Sequence, residues 1–139
     1  MTRVLLDTNV VLDFLLDRAP CADAAAALWQ ANDDGRIDAY VSVITPVNVF
    51  YIARKLKGAA TARQLVESLL IACRVCGPDR DQLLSALALP VKDFEDAVQV
   101  VSAQAETLDA LVTRDPGDYK GVSFPVFSPN AFIEQLPPN

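Results

Sequence analysis

The sequence of 139 residues contains no histidine. This absence excludes Ser-His-Asp and Cys-His arrangements, imidazole acid–base catalysis and histidine metal ligands. The three cysteines, Cys21, Cys73 and Cys76, are an odd number in a chain without an export signal, which argues against a disulfide framework. Cys73 and Cys76 have Cys-x-x-Cys spacing, but a zinc site needs two further ligands, so we interpret this pair as structural. Catalytic chemistry in this chain therefore depends on carboxylates.

Basic residues are fewer than acidic ones. The chain has 12 Lys and Arg and 18 Asp and Glu, which gives a net charge of −6. This balance argues against a general nucleic-acid-binding surface, whose affinity comes from clustered cations. An acidic protein can still act on a polyanion when bound divalent metals invert the local charge. An export signal and an apolar stretch of membrane-spanning length are both lacking, so we expect a cytoplasmic protein with a single domain over 1–139 and no membrane contact.

Short apolar runs alternate with amphipathic segments along the chain. The first run ends abruptly at Asp7, which places a carboxylate at the C-terminal tip of a predicted strand. Predicted strands follow at 37–43, 74–77, 110–113 and 123–128, and predicted helices cover 9–16, 21–30, 46–57, 61–73, 81–89, 93–106 and the segment from 129 to before 136. This alternation predicts a three-layer α/β/α sandwich around a central parallel sheet of four to five strands.

Three junctions that lead into predicted helical turns carry polar residues with the spacing of a helix capping box. Each pair joins a predicted N-cap to the residue three positions later: Thr45 and Asn48, Asp93 and Asp96, and Asp115 and Asp118. Taken singly, each pair is explained by helix capping. Parallel strands nevertheless place their C-terminal ends at one edge of the sheet, so we expect Asp7, Asp96 and Asp115 to converge there.

Carboxylates at close range cannot all ionise cheaply unless a cation neutralises them. A site made of oxygen ligands suits Mg²⁺ or Mn²⁺ rather than zinc. Such an ion commonly acts at phosphate groups, where it activates a water and stabilises charge during an in-line displacement. Asp7, Asp96 and Asp115 are therefore candidate metal ligands for phosphodiester hydrolysis.

Four segments, in this order and spacing, resemble a PIN domain: 5–15, 41–45, 93–99 and 111–115. The resemblance covers essentially the whole chain, whose length is similar to that of the VapC-like toxins of bacterial toxin–antitoxin pairs. It implies a Mg²⁺- or Mn²⁺-dependent endoribonuclease that forms a homodimer and is held by a cognate antitoxin. It also implies that Asp7, Asp96 and Asp115 are the catalytic acids.

The resemblance also assigns supporting roles to neighbouring residues. The polar residues are Thr8, Asn9, Thr45 and Thr113, and the accessory acids are Asp93 and Asp118. Asn48 occupies the position where the family pattern has a glutamate. Because an amide brings no negative charge, we expect a lower metal affinity than a glutamate would give.

Two alternatives remain open from the sequence. One is a PIN-fold RNA- or protein-binding module whose catalysis is weakened or lost through Asn48. The other is a doubly wound phosphatase with Asp7 as nucleophile, which is disfavoured because Asn9 occupies the position of its usual second acid. The candidate RNA-phosphate contacts are the cations near one helix terminus and one loop: Arg54, Lys55, Lys57 and Arg114. The first three also suit the dipole of the predicted helix.

Overall fold

The computed structural model describes residues 1–138 and contains one parallel sheet with the strand order β3-β2-β1-β4-β5. The strands are β1 (Thr2–Leu6), β2 (Ile37–Ser42), β3 (Arg74–Cys76), β4 (Ala110–Val112) and β5 (Val126–Phe127). The helices are α1 (Thr8–Leu15), α2 (Ala22–Asp33), α3 (Ile44–Lys57), α4 (Ala59–Ala72), α5 (Arg80–Ala86), α6 (Phe94–Ala105) and α7 (Pro129–Gln135). A short 3₁₀ helix spans Pro116–Tyr119. The predicted α/β fold with a parallel sheet of four to five strands is confirmed.

The sheet is buried on both faces, which explains the nearly continuous apolar character of β1. Val4 and Leu6 face a core formed mainly with α1 and α2, to which Trp29 also belongs. Leu5 faces the other side of the sheet and packs in a second core that includes Val100 of α6. The two cores make the three layers, and they fix α1 and α6 on opposite sides of β1.

Thr45 is not the N-cap that its spacing predicts. α3 begins at Ile44 with Val43 as its N-cap, so Thr45 lies inside the first turn of the helix. Its side chain is fully buried, and its Oγ1 lies 2.9 Å from Thr8 Oγ1 in α1. A tertiary hydrogen bond therefore uses the hydroxyl that the capping pattern had assigned to a backbone amide.

The last strand is also shorter than the predicted span of 123–128. Pro125 cannot donate a ladder hydrogen bond, and β5 is limited to Val126–Phe127. The structural interpretation of Cys73 and Cys76 agrees with the fold, because both are buried free thiols. Burial raises the pKa of each thiol to about 12. No helix within residues 1–138 has the length and apolar character needed to cross a membrane.

Candidate active site

Asp7 lies immediately after β1 and is only 4% exposed. Its Oδ1 accepts a 2.9 Å hydrogen bond from Gln99 Nε2 in α6, and its Oδ2 accepts a 2.7 Å bond from Thr113 Oγ1 after β4. Tyr119 OH is a third, longer donor, 3.4 Å from Oδ2. A buried carboxylate is costly unless it is hydrogen-bonded. These three donors compensate for the burial of Asp7 and fix its orientation.

Asp96 lies in the first turn of α6, close to Asp7. The carboxylate of Asp93, the N-cap of α6, accepts a 3.0 Å hydrogen bond from the backbone N–H of Asp96, so the predicted cap is confirmed. The Asp96 side chain is half-buried, and its Oδ1 lies 3.2 Å from Tyr119 OH. The Tyr119 hydroxyl therefore lies between the carboxylates of Asp7 and Asp96. It carries one proton, so it can donate to only one of them at a time.

The electrostatics of this pair are unfavourable to a second negative charge. Burial, followed by the negative charges of Asp7 and Asp93, raises the pKa of Asp96 to about 7. The hydrogen bond from Tyr119 acts in the opposite direction, but it does not compensate. Burial, followed by the negative charges of Asp7 and Asp96, raises the pKa of Tyr119 above its ordinary value, so its hydroxyl stays protonated. A cation at this position would favour the ionised form of Asp96.

A cavity of about 780 Å³ opens beside this pair. Its lining includes seven of the predicted site residues: Asp7, Thr8, Asn9, Asn48, Asp93, Asp96 and Asp118. Glu95 adds a further acid that the sequence pattern did not single out. Thr113 does not line the cavity, but it supports the site through its hydrogen bond to Asp7.

Asp115 is not among the residues that line the cavity beside Asp7. It lines a separate cavity of about 480 Å³, together with Arg114 and Ser128, and the cavity beside Asp7 is lined instead by Asp118. The reason is local. Asp115 is the N-cap of the short 3₁₀ helix, with its backbone N–H 3.3 Å from Thr113 Oγ1, and the helix carries the chain round so that Asp118 faces the cavity.

Gln99 and Tyr119 are site residues that sequence reasoning missed. Gln99 is fully buried, and its Oε1 has no hydrogen-bond partner among the described residues. A usable signal existed for Gln99, because it follows Asp96 by three positions and therefore shares its helix face. Tyr119 carried no comparable signal, because the path of the 3₁₀ helix decides where its hydroxyl points.

The chemistry of the donor set suits Mg²⁺ or Mn²⁺. Among residues 1–138, no three Asp, Glu or Cys side chains lie close enough to form a ready ligand cluster. Mg²⁺, however, commonly takes only one or two protein carboxylates and completes its shell with waters and substrate phosphates. Asp7 and Asp96 provide such a pair, and their mutual repulsion is what a divalent cation would relieve.

None of the predicted RNA-binding cations lines this cavity. Arg114 Nη1 lies 3.2 Å from Oδ1 of Asp13, an acid that is only 1% exposed and also pairs with Arg18. The Arg54 guanidinium lies over the ring of Tyr51, 5.9 Å from its centre. The basic residues that do line the cavity are Lys92 and Lys120.

The family model that matches the chain is that of the PIN domain, over residues 3–116. The chain belongs to the PIN domain family. The matched range covers β1 to β4, and so contains Asp7, Asp93 and Asp96 together with the strands that position them. The resemblance noted in the sequence is thereby confirmed.

Solved structures of PIN toxins share this fold. A toxin–antitoxin complex from Klebsiella pneumoniae matches with a TM-score of 0.67 and 24% identity, over 91% of this chain and 97% of that one. VapBC2 from Rickettsia felis, bound to a promoter DNA fragment, matches with a TM-score of 0.70 and 14% identity, over 91% and 98%. Mycobacterium tuberculosis VapC20, a sarcin–ricin loop cleaving toxin, matches with a TM-score of 0.64 and 14% identity, over 78% and 86%. No curated protein matches the chain.

Proposed function

We propose that this PIN domain is a metal-dependent endoribonuclease. The observation that carries the proposal is the pairing of Asp7 and Asp96 through the Tyr119 hydroxyl at the wall of an acidic cavity. The repulsion between these carboxylates supports a cation as their natural occupant. Membership of the PIN family supports nuclease chemistry at this cavity.

Asp7 and Asp96 are the residues that would hold Mg²⁺ or Mn²⁺. When bound, such an ion supplies activation of a water and stabilisation of charge at the phosphate. Gln99 and Thr113 keep the Asp7 carboxylate in one orientation through bonds of 2.9 and 2.7 Å. Asp118 adds negative charge to the cavity. The ligand role of Asp115 remains a prediction from the sequence pattern alone.

We further propose that the protein is the toxin of a toxin–antitoxin pair in the cytoplasm. The support is the shared fold with toxins solved in complex with their antitoxins, in Klebsiella pneumoniae and Rickettsia felis. A cognate antitoxin is the expected partner, and a homodimer is the expected assembly. VapC20 cleaves the sarcin–ricin loop, which makes structured RNA the first substrate class to test.

Cleavage of structured RNA by the purified protein in Mg²⁺ or Mn²⁺ tests the enzyme directly. We expect cleavage that EDTA abolishes and that Asp7→Asn loses, since this substitution removes a proposed ligand. Asp33→Asn, which changes an exposed acid at the end of α2, is the matched control and should cleave like the wild type. Cleavage that persists in Asp7→Asn, or in EDTA, would contradict the proposal.

A second candidate function is an RNA- or protein-binding module without catalysis. Asn48 favours it, because a neutral amide lines the cavity where the family pattern has a glutamate. The same assay separates the two functions. Binding of RNA without cleavage in either metal would support the module.

A further inference from the structure

Lys92 and Lys120 line the acidic cavity but belong to no predicted site. Lys92 directly precedes Asp93, the N-cap of α6, and Lys120 directly follows Tyr119. Both side chains are exposed. Neither one forms an ion pair with an acid in the part of the chain that the structure describes. Two cations are therefore available at the wall of the cavity that holds the proposed metal ligands.

The segments that carry these lysines lie side by side. A Cβ added to Gly121 would lie 3.4 Å from Pro90 Cγ, so the chain just after Tyr119 runs close to the chain just before Asp93. Lys120 is adjacent to Gly121, and Lys92 is two positions after Pro90. The two lysines therefore belong to one rim of the cavity, defined here as the segments 90–92 and 120–121.

The excess of acidic residues in the lining makes the two lysines of the rim important for any anionic ligand. The lining contains five acids, Asp7, Asp93, Glu95, Asp96 and Asp118, and only these two bases among its described residues. An RNA strand approaching such a wall would be repelled unless cations met its phosphates. A metal offsets charge at the reacting phosphate alone, so the flanking phosphates need other partners. The basic cluster at Arg54, Lys55 and Lys57 is not part of this lining.

We propose that Lys92 and Lys120 bind RNA phosphates next to the reacting one, so that the strand enters over the rim at 90–92 and 120–121. This inference rests on the proposed function, because it assumes that RNA is the substrate of the cavity. It moves the expected RNA contacts from the end of α3 to the rim at 90–92 and 120–121, next to the segments that contain Asp96 and Asp118. Such contacts position the strand and carry no sequence information.

The test compares two double variants that remove the same charge. Lys92→Gln/Lys120→Gln removes the rim cations, and Lys55→Gln/Lys57→Gln removes two exposed cations at the end of α3. Each is placed in an Asp7→Asn background, and its affinity for a short fluorescein-labelled single-stranded RNA is measured over a range of salt concentrations in Mg²⁺. Thermal melting checks that every variant is folded.

For the rim variant we expect Kd to rise about tenfold at low salt. The negative slope of log K against log salt should become shallower by about 1.4, or about 0.7 for each lost phosphate contact. The Lys55/Lys57 control should change neither quantity. With Asp7 intact, the rim variant should raise KM for cleavage and retain kcat. The single variants Lys92→Gln and Lys120→Gln should each show about half of the slope change, which keeps the test decisive if the double variant does not fold.

An unchanged slope in the rim variant, or a slope change only in the Lys55/Lys57 control, would overturn the inference. A change in Mn²⁺ affinity without a change in the salt slope would also overturn it, because the lysines would then serve only to balance the carboxylates. RNA binding that shows the expected slope change, in a protein that does not cleave RNA, would reject the endoribonuclease proposal and support phosphate binding by the rim lysines. Failure of every variant and of the wild type to bind RNA would reject both.

Discussion

The stability of the metal-free protein should fall as the pH rises, because Asp96 holds its proton more tightly in the folded state than in the unfolded chain. Its pKa is about 7 when folded, against an ordinary value of 3.8. A group whose pKa is raised by folding contributes stability below its unfolded pKa and loses that contribution as the pH rises through the folded pKa. The window for Asp96 therefore runs from about pH 4 to about pH 7.

The size of the effect follows from the same values. A rise from 3.8 to about 7 corresponds to about 4 kcal/mol between the two limits. Asp96 is only half-buried, and solvent screens the repulsion from its neighbours. We therefore expect about half of that figure, or about 2 kcal/mol, to be lost across the window.

Urea denaturation in EDTA at a series of pH values between about 4 and 8 measures this loss. The informative quantity is the difference in unfolding free energy between the wild type and Asp96→Asn, because carboxyl groups that do not interact with Asp96 contribute equally to both proteins. As the pH rises, the free energy of unfolding of the wild type should fall by about 2 kcal/mol relative to that of Asp96→Asn. Asp81→Asn, at a side chain that is 90% exposed, is the matched control and should follow the wild-type profile.

Saturating Mn²⁺ should remove this loss above pH 7, because a cation favours the ionised carboxylate and binding stabilises the folded state. A difference between wild type and Asp96→Asn that stays constant with pH in EDTA would refute the reasoning. It would mean that neither burial nor the charges of Asp7 and Asp93 act on Asp96 in the folded protein.

Three further predictions concern two residues of the cavity region and the buried acid Asp13. Tyr119→Phe removes the hydroxyl between the two carboxylates and should lower Mn²⁺ affinity by about 10- to 100-fold in calorimetry; an unchanged affinity would mean that Tyr119 does not orient the ligands. Asn48→Glu should raise Mn²⁺ affinity by roughly tenfold, and no gain would show that the site is not short of charge. Asp13→Ala leaves Arg18 and Arg114 without their shared acceptor and should lower the free energy of unfolding by about 1–3 kcal/mol, whereas an unchanged denaturation midpoint would contradict a structural role.

Much of the fold was predictable because it depends on local patterns. Apolar runs that alternate with amphipathic segments determine a parallel sheet between helices, and the abrupt end of β1 places Asp7 at the sheet edge. The cap of α6 was predictable for the same reason, since Asp93 and Asp96 interact over one helical turn. These features involve residues that are neighbours in the chain.

The site itself depends on contacts that no local pattern encodes. Thr45 fits an N-cap by spacing, yet its hydroxyl bonds Thr8, 37 positions away. The sequence pattern made Asp115 the candidate ligand and Asp118 an accessory acid, yet Asp118, which lies within the 3₁₀ helix, is the one that lines the cavity. Spacing alone does not determine where such a turn directs its side chains.

The sequence by itself determined the class of fold, the strand-end position of Asp7, and the restriction of the chemistry to carboxylates, because composition and periodicity are properties of the chain. Only the tertiary structure decided the partners of Asp7, since Gln99 and Tyr119 are 92 and 112 positions away along the chain. Their donors meet one buried carboxylate because β1, α6 and the 3₁₀ helix converge at one edge of the sheet. The packing of these elements, rather than their spacing in the chain, brings the donors together at that edge.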